Sequence, residues 1–257
     1  MKFVEFLLLK NNKKQKIHIG DDFEYYLLKK GLIKIKEIIY KGNLRNNLIE
    51  LPKIIDSCAG IRIFGKLIKS LVFSTDIAII RNTNADAVIA VYPFTPQPII
   101  SEALISSSSI PVFCGVGGGL TTGTRVVHLA SNAEFQGAFG VVLNAPTKNE
   151  VISMVREIID IPIVITVVKE DDDIEGRIKA GANILNVSAA SRTPYIIEKI
   201  KKDHPEIAII ATGGPTEQSI KDTVNAGANA VTYTPPTSAE VFKNIMTKYR
   251  ENGEVSK

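Results

Sequence analysis

The chain has 257 residues, of which 45% are hydrophobic, 23% charged and 7% aromatic, a globular balance that excludes disorder, collagen-like repeats and a disulfide scaffold. A formal charge of +4 is too small to signal a nucleic-acid partner. Its placement is uneven: residues 1–70 hold 15 Lys and Arg against 7 Asp and Glu, and residues 71–257 hold 16 against 20.

The lysines of the first part are dispersed among apolar residues, as in GLIKIKEIIYKG (31–42), which reads as the solvated edge of a small α+β layer. Pro52 and the CAG at 58–60 mark turns within it. MKFVEFLLLKNN at the start is interrupted by Glu5 and makes a poor signal peptide. No continuous apolar run approaches the ~18 residues needed to cross a bilayer, so no membrane partner is expected. Cys58 and Cys114 are the only cysteines, too few for a disulfide framework or a zinc cluster, and a reducing cytoplasm is the expected setting.

From residue 71 onward, short Val/Ile/Leu-rich runs alternate with segments of helical period, the pattern of a parallel sheet wrapped by helices. There are eight: LVFST (71–75), DAVIAVY (86–92), IPVFCG (110–115), FGVVLN (139–144), IPIVITV (161–167), NILNVS (183–188), IAIIAT (207–212) and NAVTYT (229–234). The even runs begin with small-residue turns, NADAV, QGAFGVV, AGANIL and AGANAV, and the two AGAN copies start 46 residues apart, at Ala180 and Ala226. A Gly before a strand fits a helix C-cap, where the left-handed conformation costs it least. Recurrence in every second unit implies four similar quarters. The expected fold is therefore α/β, a (β/α)8 TIM barrel over 71–250 with a small N-terminal extension (1–70) and a tail (251–257).

The working face of such a barrel lies at the carboxyl ends of its strands. There the sequence places Ser74, Thr75 and Asp76; Tyr92 and Thr95; Cys114; Asn144; Thr166, Lys169 and Glu170; Asn186 and Ser188; Thr212, Gly213 and Gly214; and Tyr233, Thr234 and Thr237. Asp76, Lys169, Glu170, Asn144 and Asn186 are the catalytic candidates, since carboxylates and an amine move protons and an Asn amide holds a hydroxyl or carbonyl. For Asn144 a turn role competes. Thr212, Gly213 and Gly214 in IIATGGPTEQSI would let bare amides face an anion ahead of a helix beginning near Thr216 and Glu217. Thr234 and Thr237 would complete that site, and Gly117 and Gly118 in CGVGGGLTTG suggest a second close ligand approach or a flexible lid. Glu170, Asp171, Asp172, Asp173 and Glu175 form an acidic cluster. Glu170 and Asp171 could hold Mg²⁺, although an acidic helix start capped by Asp172 or Asp173 is the better account, and no other metal site is expected.

The ATGGPTEQSI segment resembles the phosphate-binding (β/α)8 superfamily, whose enzymes of sugar-phosphate, tryptophan, thiamine and nucleotide metabolism carry a glycine pair here. The resemblance implies a phosphate on Thr212 to Gly214. One departure is that the eighth strand runs into TYTPPTS, where Pro235 and Pro236 supply no N–H. Residues 71–250 as a whole also resemble a bacterial family of barrel proteins that carries the loose label hydrolase.

Hydrolysis requires an activated nucleophile or a metal-bound water. Cys114 is the one candidate thiol, yet it reads as a small buried hydrophobe, and His18, His128 and His204 fall in no ligand spacing. Lys169 beside acids is a poor Schiff-base lysine. The reading that follows is an enzyme binding a small phosphorylated or anionic metabolite, with lyase or isomerase chemistry. A hydrolase and a non-catalytic metabolite-sensing barrel are the alternatives, and a homo-oligomer stays open.

Overall fold

The computed structural model describes residues 5–10, 13–18 and 47–252. The chain divides after Asn46. Of the first unit only an antiparallel hairpin is described, β1 (Glu5–Lys10) against β2 (Lys13–His18); the expected GLIKIKEIIYKG layer lies outside the described residues.

The second unit is a closed barrel of eight parallel strands. They are β5 (Ser70–Phe73), β6 (Ala87–Ala90), β7 (Val112–Gly117), β8 (Gly140–Leu143), β9 (Ile163–Val167), β10 (Ile184–Val187), β11 (Ala208–Thr212) and β12 (Ala230–Tyr233). All eight runs expected from the sequence are strands, and β12 pairs with β5 to close the ring. The helices that follow them are α1 (Ile77–Arg81), α2 (Pro98–Ser107), α3 (Thr124–Phe135), α4 (Asn149–Arg156), α5 (Ile174–Lys179), α6 (Thr193–Asp203), α7 (Glu217–Asn225) and α8 (Ser238–Asn252). Among the described residues no helix is long and apolar enough to cross a membrane.

Strand alternation sorts each run between two cores. Val72, Val88, Cys114, Val141, Ile163, Leu185, Ile209 and Val231 point outward and pack with helix residues such as Val126, Ile152 and Ile197. Leu71, Ile89, Phe113, Val142, Val164, Ile184 and Ile210 point inward and fill the barrel. The inner core is completed by Ile63 and Ile68 of a second hairpin, β3 (Ile61–Ile63) and β4 (Lys66–Ile68). Its turn places Phe64 and Gly65 at φ 45° and 80°, the left-handed pair that a two-residue hairpin demands. This hairpin plugs the end where the strands begin. The barrel unit thus starts at Asn47 rather than residue 71, with Leu51, Ile55 and Cys58 buried against the outer core, and its last helix ends at Asn252.

The repeated small-residue turns have a common geometry. Gly137, Gly181 and Gly227 adopt φ of 91°, 109° and 100° directly after α3, α5 and α7, and their amides return to Glu134, Ile178 and Val224 carbonyls. The Asn that ends each AGAN then pins its neighbour: Asn183 Oδ1 accepts from Ile163 N, and Asn229 Oδ1 from Ile209 N, each at 2.9 Å. A cation from the helix before the pinned strand reaches the same oxygen, Arg156 of α4 on Asn183 and Lys201 of α6 on Asn229. Asp86 does the corresponding work ahead of β6, its Oδ2 accepting from Lys69 N and Ser70 N. Phe139 takes that place before β8 and packs edge-on against Phe64 and Phe113 instead.

Candidate functional site at the barrel mouth

Following the inward positions along each strand, the barrel changes from aliphatic to hydroxyl and amide near the carboxyl ends. A chamber of about 270 Å³ there is walled by Asn144, Thr166, Asn186, Ser188, Thr212, Thr232 and Thr234, with Phe73, Ile89, Val91 and Val142 as its apolar floor. Every polar group in this wall is neutral. Asn186 is 8% exposed and Thr232 4%. Asn186 Nδ2 reaches Thr166 Oγ1 at 3.4 Å, whereas Asn186 Oδ1 and Thr232 Oγ1 are fully buried without a protein partner. A buried polar atom left unpaired costs about 1–3 kcal/mol, and in native proteins such atoms are paired or serve a site.

Two further cavities adjoin the chamber. A side lobe of about 410 Å³ shares Val91, Val142 and Asn144 with it and lies between the loop after β6 and the loop after β7. An outer basin of about 610 Å³ shares Phe73, Val91, Asn144 and Thr234 and reaches Asp76 and Thr237. The structure therefore brings together Asn144, Asn186, Thr212 and Thr234 in the chamber, Gly117 in the lobe, and Asp76 and Thr237 in the basin.

Asp76 is already committed. It N-caps α1, accepting from Ala78 N at 2.8 Å and Ile79 N at 3.3 Å, and it accepts the Ser238 hydroxyl of α8. The Ser238 bond above all, then the amides, holds its carboxyl below the ordinary 3.8. Thr237 caps α8 reciprocally with Glu240, whose Oε2 accepts from Thr237 N at 2.7 Å.

Lys169 and Glu170 lie elsewhere. The loop after β9 turns outward, placing both beside α6, where they line a separate groove with Lys199 and His204. Glu170 is bound by Arg192, by Lys199 at 3.1 Å and by the Tyr195 hydroxyl at 3.0 Å; the Lys199 bond, then the Tyr195 bond, lowers its pKa. Lys169 pairs with Asp171 at 3.4 Å in open solvent. Asp173 caps α5 through Gly176 N, and Asp172 accepts from Val168 N and Lys169 N. Glu170 and Asp171 therefore form no cation cage, since each is neutralised by a different basic side chain. Among the described residues no three His, Cys, Asp or Glu side chains gather.

The glycines have local reasons. A Cβ on Gly213 would stand 2.8 Å from Val231 Cγ1 and 2.9 Å from Ile220 Cγ1, so this residue lets α7 approach the sheet. Gly214 turns the chain at φ 80°, and Thr216 and Ser219 then form a capping box. Neither glycine borders the chamber, the lobe or the basin. Gly118, at φ 99°, packs directly on Asn144 and Thr147.

Cys114 faces the outer core at 1% exposure, and burial pushes its thiol up to about 11; a thiolate nucleophile is incompatible with that position. His128 is exposed on α3. Arg177 went unnoticed in the sequence. It is buried on α5 and donates to Ala145 O at 2.7 Å and Thr147 O at 3.1 Å, clamping the loop that carries Asn144.

Neither a protein-family model nor a curated protein matches the chain. Solved structures do. A phosphoenolpyruvate phosphomutase from Streptomyces platensis subsp. rosaceus is 12% identical with a TM-score of 0.56, over 78% of this chain and 84% of that one. The likeness is one of fold. Phosphonopyruvate hydrolase, in a complex with oxalate and Mg²⁺, gives 12% and 0.54 over 79% and 87%. A 2,3-dimethylmalate lyase of the PEP mutase/isocitrate lyase superfamily gives 11% and 0.55 over 80% and 87%. Similar barrels thus include a mutase, a hydrolase and a lyase. The chamber wall offers hydroxyls and amides but no carboxylate, a donor set that does not suit Mg²⁺.

Proposed function

We propose that the barrel mouth binds a small hydroxy or oxo acid through neutral hydrogen bonds. The observation that carries this reading is the pair of buried, unpartnered atoms, Asn186 Oδ1 and Thr232 Oγ1, on the wall of a chamber of metabolite size. Asn186 Oδ1 is an acceptor and calls for a ligand hydroxyl; the threonine and serine hydroxyls can donate to a carboxylate. The names of similar barrels support the ligand class, since phosphonopyruvate and 2,3-dimethylmalate are small organic acids. A phosphate on the glycine pair has weaker support, because Gly213 and Gly214 have packing and turn roles of their own.

Two readings follow for what happens after binding. Lyase or isomerase turnover is favoured by the enzymes with which the barrel is structurally similar. Metabolite sensing is favoured by the divergence of Lys169 and Glu170 from the mouth and by the engagement of Asp76 as a cap. The geometry gives the second more weight, as the chamber wall holds no free acid or base. A thermal-shift panel of hydroxy acids, oxo acids and phosphorylated metabolites tests both, with each stabilising compound followed by NMR for conversion. Stabilisation by an unphosphorylated acid that Asn186→Leu abolishes is the expected result. Stabilisation by phosphorylated compounds alone would overturn it, and conversion of the ligand would establish the enzyme.

A further inference from the structure

Resting on that reading of the chamber, we infer that the site takes 2-hydroxy acids in preference to the matching 2-oxo acids, and that Thr166 sets this choice by fixing the orientation of the Asn186 amide. Asn186 on β10 and Thr166 on β9 are partners in register, and both wall the chamber. Among the described residues the Asn186 side chain makes a single hydrogen bond, from Nδ2 to Thr166 Oγ1 at 3.4 Å. That bond decides which end of the amide is left over. With Nδ2 spent on Thr166, Oδ1 is the end that stays buried without a partner.

An amide oxygen only accepts. A ligand hydroxyl satisfies it by donating, whereas an oxo group sets a second acceptor against it and leaves both oxygens unpaired. Thr166 completes the match: its oxygen receives the Nδ2 hydrogen, and its own hydroxyl hydrogen can go to a ligand carboxylate. Two adjacent strands, about 4.8 Å apart, therefore offer an acceptor and a donor side by side. A 2-hydroxy acid carries the complement, a donor hydroxyl and an acceptor carboxylate on neighbouring carbons, while a 2-oxo acid carries two acceptors. Thr232 holds the second orphaned oxygen on β12, which one strand separates from β10, and its hydroxyl can donate to the other carboxylate oxygen. Turned over, the Asn186 amide would give Thr166 its oxygen and bury Nδ2 with both hydrogens unpaired, two orphaned donors in place of one acceptor. That orientation would suit an oxo group, so the preference depends on which end Thr166 holds.

The test is a set of acid pairs that differ only at carbon 2: lactate with pyruvate, 2-hydroxybutanoate with 2-oxobutanoate, and 2-hydroxyisovalerate with 2-oxoisovalerate. Each is titrated by NMR against the full chain, Thr166→Val, Thr166→Ser and Asn186→Leu. The readout is the ratio of the two affinities within a pair, which a variant that merely loosens the barrel leaves unchanged because it weakens both members alike. In the unaltered chain the hydroxy acid is expected to bind roughly tenfold or more tightly than its oxo partner. Thr166→Ser keeps the hydroxyl and should keep that ratio, while Thr166→Val frees the amide to turn and should bring the ratio close to one. An oxo acid bound as tightly as its hydroxy partner, or a ratio that Thr166→Val leaves unchanged, would overturn the preference and leave the chamber reading standing. If no acid binds, or if binding is indifferent to Asn186→Leu, the chamber reading fails and the preference fails with it.

Discussion

Asn186 and Thr232 stand in the same predicament, each holding an oxygen buried without a protein partner. A residue kept for stability alone would be better replaced by an apolar isostere, since removing the unpaired atom removes its desolvation penalty. Thr232→Val and Asn186→Leu are therefore expected to unfold at the same or higher temperature than the unaltered chain, with a gain of about 1 kcal/mol, and to lose the ligand-induced shift. A large drop in the melting temperature of both would mark them as structural instead. Asp76 is a different kind of residue, whose role is a capping bond and a tie to α8. Its folded pKa is depressed, so its contribution is present above the ordinary 3.8 and is lost as pH falls through the folded value. Ser238→Ala removes the largest cause of that depression. The Asp76 carboxyl should then titrate at higher pH by NMR, and acid unfolding should begin at higher pH as well.

At the scale of elements, the loop after β8 is held by Arg177, a buried guanidinium whose partners are two carbonyls. Its planar fork spans both, which a Lys ammonium does not. Arg177→Lys and Arg177→Met should each lower stability by about 1–3 kcal/mol and broaden the NMR signal of the Asn144 side-chain amide. Unchanged melting and unchanged Asn144 resonances would show that Arg177 does not hold the loop. The eight strands were legible because each is an apolar run with a turn signal at its start, and the strand-end rule found Asn144, Asn186, Thr212 and Thr234. Thr232 was missed although the signal was present: it lies two residues before Thr234 and so on the same inward face. Lys169 and Glu170 were misplaced because their partners Asp171, Arg192 and Lys199 draw the loop to the outside, and nothing in a strand-end rule says which way the chain turns next. Gly213 looked like an anion cradle because its packing partners, Val231 and Ile220, are distant in the sequence or on the next helix.

For the whole molecule, the charge break near residue 70 proved a weaker guide to the barrel's beginning than burial. Residues 47–69 complete the inner core through Ile63 and Ile68 and the outer one through Leu51, Ile55 and Cys58. A chain beginning at Ser70 would open the lower end of the barrel to water. It should lose the cooperative thermal transition and bind a dye specific for exposed apolar surface, while a chain beginning at Asn47 should melt in one step; equal behaviour of the two would contradict the plug.

The paired pins at Asn183 and Asn229, each with a basic side chain on the same oxygen, recur at the 46-residue spacing of the AGAN copies. Each pin joins the start of one strand to the start of its sequence neighbour, so a two-strand segment brings its own alignment device with it. Such a segment is a unit of inheritance as much as of architecture: once copied, it needs no new registration signal from the rest of the ring. At the pair β7 and β8, Phe139 stands in for the pin, so register there rests on an aromatic contact with Phe113 and a copied segment would carry packing, not a polar bond, as its alignment device.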